Sequence, residues 1–147
     1  MRRFYERFAA RDADGMAECY HDDIIFSDPV FGELRGERAR DMWRMLLARA
    51  DGLAVEAHDV RADDREGAAR WVATYAFGHR RRPVRNVVDA RFAFRDGRIL
   101  RHEDAFSLWR WSGMALGPAG WALGWTPPMR RRIRRDARRA LDAFVAR

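Results

Sequence analysis

The chain has 147 residues, 48% of them hydrophobic and 35% charged, with a formal net charge of +7, a size and balance that fit one globular domain with a substantial core. The charge is localised: residues 130–147 hold eight Arg against two acids, a net +6, while the remaining 21 Arg meet 20 acids. A nucleic-acid fold would spread basic residues over a face interleaved with aromatics, so the body of the chain argues against that class.

In chain order, the opening Met1-Arg2-Arg3-Phe4-Tyr5-Glu6 lacks the apolar core of a signal peptide, and Cys19 is the only cysteine. No internal disulfide or cysteine-rich metal site is available, and a reducing cytoplasm is the expected compartment. Phe4, Phe8 and Met16 fall on helical spacings around Asp12-Ala13-Asp14-Gly15, which predicts two short helices with Asp14 as the cap and Tyr20-His21 at the end of the second. Ile24-Ile25-Phe26-Ser27-Asp28 predicts a strand stopped by Pro29, then a loop over 31–36 and a third helix marked by Met42, Trp43, Leu46 and Leu47. Beyond residue 52 the period becomes two. Four strands are predicted over 53–62, 67–78, 84–95 and 98–110, with Asp96-Gly97 as the clearest hairpin turn. Helices followed by an antiparallel meander define an α+β domain.

Side-chain parity assigns one face of that sheet. Trp71, Ala73, Tyr75 and Phe77 share it in one strand, Asn86, Val88, Ala90, Phe92 and Phe94 in the next, and Leu100, His102, Asp104, Phe106 and Leu108 in the last. An aromatic face with a few embedded polar groups describes a small-molecule pocket better than a dry core.

Phe8-Ala9-Ala10-Arg11-Asp12-Ala13-Asp14-Gly15, Tyr20-His21-Asp22-Asp23, Phe26-Ser27-Asp28-Pro29 and the helix led by Gly36 resemble the nuclear transport factor 2-like superfamily, with its SnoaL-like polyketide cyclases and ketosteroid isomerase. The resemblance covers about residues 3 to 111. It implies a cone: a curved antiparallel sheet over three N-terminal helices, with a pocket at the open end. It places Asp28 where ketosteroid isomerases hold the Asp that shuttles a proton between carbons. The two oxyanion donors of that enzyme fall on Phe4 and Ala90, which donate nothing, and Tyr5 and Asp89 stand one position away. Limonene-epoxide hydrolase is similar at Asp104-Ala105-Phe106, but its other Arg and Asp fall on Trp71 and Ala73. Some polyketide cyclases also use an acid from this last strand, which would be Asp104.

The residues themselves support two chemistries. His102 and Asp104, two apart on one strand, leave the same face and can meet, the acid orienting the imidazole as a base. Alternatively Asp28 and Asp104 share a proton across the cavity, which raises one pKa. The expected site is therefore Asp28, His102 and Asp104, with Trp71, Tyr75, Asn86, Phe92 and Phe106 contacting a substrate. The plain alternatives are a turn-capping Asp28 and a satisfied structural His102–Asp104 pair. The spacing of His21, His58 and His79 suggests no metal site, and no cofactor is expected.

Residues 1–111 form the expected cone domain and 112–147 an extension packed on it or on a partner subunit. Residues 112–129 are uncharged but broken by Gly and Pro, which excludes a spanning helix and suggests an apolar hook serving as a homodimer surface or a lid. Over 130–147, Ile133, Ala137, Leu141 and Phe144 form an apolar seam on an otherwise Arg-rich helix, with an anionic membrane surface or nucleic acid as the lesser readings of its charge. The function this supports is proton transfer on a small hydrophobic or aromatic molecule by a cofactor-independent isomerase, cyclase or lyase. The alternative is a non-catalytic binding or dimeric adaptor domain.

Overall fold

Twelve elements in order, α1 (Arg2–Ala9), α2 (Ala13–Glu18), β1 (Tyr20–Asp28), β2 (Gly32–Arg35), α3 (Glu37–Arg49), β3 (Asp51–Ala62), β4 (Glu66–Phe77), β5 (Arg82–Arg95), β6 (Arg98–Ala105), α4 (Leu108–Leu116), α5 (Pro118–Leu123) and α6 (Pro127–Val145), make up the computed structural model, which describes residues 1–147. The six strands form one curved sheet in the order β2-β1-β6-β5-β4-β3. Its pairings are antiparallel except that β1 runs parallel to β6, so the sheet is mixed rather than wholly antiparallel. A parallel neighbour is reachable here because the whole of α3 to β5 serves as the crossover.

Each helix buries the stripe its spacing dictates. Phe4, Tyr5 and Phe8 of α1 and Met42, Trp43, Met45 and Leu47 of α3 point inward, against the concave face carried by Trp71, Ala73, Val88, Ala90 and Phe92. Together these belong to a 28-residue hydrophobic cluster, and each large side chain taken out of water contributes about 1.5–3 kcal/mol.

Several local expectations are corrected. Asp12, not Asp14, caps α2, accepting from the Gly15 N–H at 2.9 Å. Tyr20 and His21 begin β1 rather than end a helix: the exposed Asp22 and Asp23 interrupt a strand whose inward positions, Tyr20, Ile24 and Phe26, are buried. Residues 32–35, expected as loop, form the edge strand β2, pairing Phe26 with Leu34 and Asp28 with Gly32. The last strand ends at Ala105, and α4 starts two residues beyond it, with Ser107 accepting from the Arg110 N–H at 3.2 Å. Within β6 the register slips: Ala93 pairs with Arg101 but Phe94 with Ile99. The bulge leaves Leu100 without a partner and turns Ile99 inward in its place.

The apolar hook is two helices. α4 and α5 fold back on one another at Gly117, whose φ of 77° suits glycine, and α4 lies on β5. α6 packs on α3 through a seam centred on the buried Ile133 and Leu141. Its other anchors are polar. Arg138 donates to the carbonyls of Phe31 and Glu33, both at 2.8 Å, Arg134 reaches the Pro29 carbonyl at 3.4 Å, and Arg38 pairs with Asp142 at 2.8 Å. The extension thus packs on its own domain and braces the turn that follows Asp28. No helix is long and apolar enough to cross a membrane.

Candidate functional site

The sheet register assembles the polar residues of the concave face. β1 pairs Phe26 with His102 and Ser27 with Glu103, so the next step of the parallel ladder sets Asp28 beside Asp104, on strands about 4.8 Å apart. β5 pairs Phe92 with His102 and Ala90 with Asp104. Ala90 and Ala69, opposite one another, are small enough to let the Trp71 indole reach across them toward Asp104.

A buried hydrogen-bonded chain results. Trp43 Nε1 donates to the Tyr20 hydroxyl at 2.8 Å, and that oxygen lies 2.7 Å from His102 Nδ1. His102 Nε2 lies 2.9 Å from Asp104 Oδ1, which also accepts from Trp71 Nε1 at 3.2 Å. The indole N–H donates to the Tyr20 oxygen; with the Tyr20 hydroxyl in turn donating its hydrogen bond to Nδ1, the imidazole N–H is on Nε2, facing the carboxylate. The two-residue spacing of His102 and Asp104 does bring them together directly. The ring, however, is 0% exposed, packed by Phe4, Phe26, Phe92 and Trp43. With both nitrogens bonded and no open face, His102 reaches other groups only through Asp104.

Asp28 differs. It is half-buried at the end of β1, its Oδ1 accepts the Phe31 N–H at 2.6 Å, and burial, with the Asp104 carboxylate adding to it, pushes its pKa up to about 7. The turn-cap geometry and the poised acid therefore coexist in one carboxyl. Tyr75 faces it from β4: burial raises the phenol pKa, the Asp28 charge adds to the rise, and the hydrogen bond accepted from Trp111 Nε1 at 2.9 Å opposes it. Trp111 belongs to α4, so that helix covers this end of the cone.

One further group on the face is unsatisfied. The Tyr5 hydroxyl is buried without a partner, and burial together with the Asp104 charge raises its pKa. The buried Asn86 makes no side-chain hydrogen bond within the chain. Phe92 stacks on Phe94 and packs against His102, and Phe106 is half-buried beside the core. The interior at the level of His102 is filled by side chains. Two open surface clefts lie elsewhere, one at Met1–Arg3 with Val60–Ala62, the other at Arg11–Asp14 with Arg44, Leu47 and Ala48. Tyr20, expected at a helix end, and Trp43, expected only as an apolar position of the third helix, join the buried chain unannounced: Asp22 and Asp23 disguise the start of β1, and no local signal marks the Trp43 indole as a donor to it.

This curved sheet over α1 to α3, with polar groups set into its concave face, is a nuclear transport factor 2-like architecture. Residues 1–102 match the SnoaL-like domain family, and the chain belongs to that family. Among solved structures it is similar to an epoxide hydrolase of the limonene-epoxide hydrolase-like type from M. tuberculosis, at 22% identity and a TM-score of 0.65 over 83% of this chain and 91% of that one. It is also similar to a hypothetical protein with a ketosteroid isomerase-like fold from Catenulispora acidiphila, in complex with trimethylamine, at 16% identity and a TM-score of 0.67 over 84% and 97%. A third is TerC, co-crystallised with polyporic acid, at 17% identity and a TM-score of 0.61 over 71% and 86%. At these identities the likeness is one of fold. No curated protein shows significant similarity in sequence.

Proposed function

We propose that the chain binds a small apolar or aromatic molecule at the covered end of the cone, and that Asp28 moves a proton on it. The observation that carries this reading is the Asp28 carboxyl, held near neutrality at about 7 beside Asp104. A base with that pKa exists in both forms at neutral pH, which suits it to take a proton and return it. The ionised carboxylate takes a proton from an acidic carbon, breaking C–H and forming O–H, and the electron pair moves into the substrate's carbonyl or quinone. The same proton then returns to another carbon or assists a leaving group. Tyr75 and Asn86 supply hydrogen bonds, Trp71, Phe92 and Phe106 provide apolar walls, and His102 positions Asp104. Epoxide hydrolysis of the limonene-epoxide hydrolase type is not part of this reading, since Trp71 and Ala73 stand where its Arg and Asp would be.

The test is solvent deuterium incorporation at carbon in a panel of ketones with an α C–H and of hydroxyquinones that keep a ring C–H. Wild-type protein should catalyse the exchange, and Asp28→Asn, which keeps an oxygen for the Phe31 N–H, should lose about 10²–10⁴-fold. Equal exchange by the two proteins refutes Asp28 as the base. A second reading, binding without chemistry, is favoured by the enclosure of His102 and by the hydrogen bond that Asp28 makes within its own turn. It predicts saturable ligand binding that Asp28→Asn leaves unchanged, with no exchange by either protein.

A further inference from the structure

The α4–α5 hairpin leaves its outer surface apolar. Trp109 (40% exposed), Trp121 (44%), Leu123 (49%) and Trp125 (64%) are all open to solvent. Trp109 and Trp121 meet edge to face at 5.0 Å, and the indole N–H of Trp109 is satisfied by the Trp121 carbonyl at 2.8 Å. Trp125 bonds the Ala122 carbonyl at 2.9 Å. The Trp109 and Trp125 rings are therefore held in place with their indole N–H groups already satisfied and hydrocarbon left open to solvent, an arrangement that water does not reward.

The charge of the flanking sequence has one sign. From Ala105 to Arg135 the chain contains no Asp or Glu, while Arg110, Arg130, Arg131, Arg132, Arg134 and Arg135 lie in that stretch. Arg130 and Arg131 occupy the first turns of α6, five and six positions beyond Trp125, are exposed, and have no acidic partner. From the other side, the β4–β5 turn brings Arg82 against the hairpin, where it donates to the Met114 carbonyl at 3.0 Å. The apolar seam of α6 is spent on the chain's own core at Ile133 and Leu141, so only its basic face is free.

We infer that this face docks on an anionic phospholipid surface, with Trp121, Leu123 and Trp125 seated among the headgroups and Arg130 and Arg131 against lipid phosphates. Indoles beside guanidinium groups match the layered chemistry of a bilayer interface, apolar inward and anionic outward. A second copy of this chain fits less well, because a two-fold contact would set the same acid-free Arg cluster against itself. Nucleic acid would match the charge but not the outward-facing Leu123 and Trp125. The docked hairpin is the element that carries Trp111 over the end of the cone, so a ligand dissolved in the lipid would meet the covering helix first.

The experiment is co-sedimentation of the full chain with vesicles of phosphatidylcholine alone, or of phosphatidylcholine with phosphatidylglycerol, at low and high salt. Binding is expected only to the anionic vesicles, weakening as salt is added. Arg130→Gln with Arg131→Gln should reduce it about 25-fold, at roughly fivefold per charge. Leu123→Ala with Trp125→Ala, both exposed and thus harmless to folding as checked by circular dichroism, should reduce it about tenfold or more. Several results would overturn the inference: no binding to anionic vesicles, binding indifferent to the Leu123 and Trp125 changes, tighter binding to duplex DNA than to vesicles, or a dimer in sedimentation that those changes dissociate.

Discussion

Replacing Asp28 by Asn isolates the charge of this carboxyl from its geometry. The Asn oxygen can still accept the Phe31 N–H that Asp28 accepts at 2.6 Å, while the ionisation disappears. Burial raises the Asp28 pKa from its ordinary 3.8 to about 7. Between those two values the folded chain holds a proton that the unfolded chain has lost, so wild-type stability falls as the pH rises through this window and levels off above it. Each pH unit corresponds to about 1.4 kcal/mol, which over the full interval would reach about 4 kcal/mol. Solvent reaching one edge of the half-buried carboxyl trims this to roughly 2–4 kcal/mol. Urea unfolding of both proteins from about pH 4 to about pH 8 measures the difference directly, because titrating groups not coupled to Asp28 cancel. The Asn protein should gain on wild type as the pH rises, by that amount in total. Parallel curves for the two proteins would refute the raised pKa, leaving Asp28 as a turn cap and removing the basis for its role as a base.

The buried chain and the hairpin yield two further expectations. His102→Phe keeps the ring volume but strands Tyr20 and Asp104, and should cost about 2–4 kcal/mol in chemical denaturation. Tyr20→Phe should cost about 1–3 kcal/mol, and the double variant less than the sum, because the two share one network; strict additivity would mean that the chain of bonds is not a unit. An alanine methyl at Gly120 would collide with the Ser112 carbonyl, so Gly120→Ala should destabilise the α4–α5 hairpin by about 1–3 kcal/mol. Hydrogen exchange should then quicken over residues 108–123 while β4 to β6 stay protected; unchanged exchange there would show the hairpin to be looser than drawn.

The turn that follows Asp28 is held from outside the matched family region. Arg134 and Arg138, from a helix beyond residue 102, hold the carbonyls of Pro29, Phe31 and Glu33. They brace the turn from outside, and the Arg134 charge works against the rise in the Asp28 pKa. α6 therefore contacts the turn after Asp28 as well as covering part of α3.

What the sequence determined by itself is what depends on side-chain direction within one element. The stripes of α1 and α3, the hairpin at Asp96-Gly97, the inward parity of Trp71, Asn86, Phe92, His102 and Asp104, and the kinship to SnoaL-like domains all follow from local spacing or from motif. The meeting of His102 with Asp104 belongs here too, since both lie on one strand. What tertiary structure decided is what depends on competition between distant segments for the same core. The parallel pairing of β1 with β6 brings Tyr20 to His102 across 82 residues, and no local pattern encodes that choice. The bulge in β6 exchanges Leu100 for Ile99, a slip set by the neighbouring strand. The closing of aromatic rings around His102 filled the cone at that level and α4 came to lie over Tyr75 at its end, because shape complementarity among side chains is a property of the assembled core.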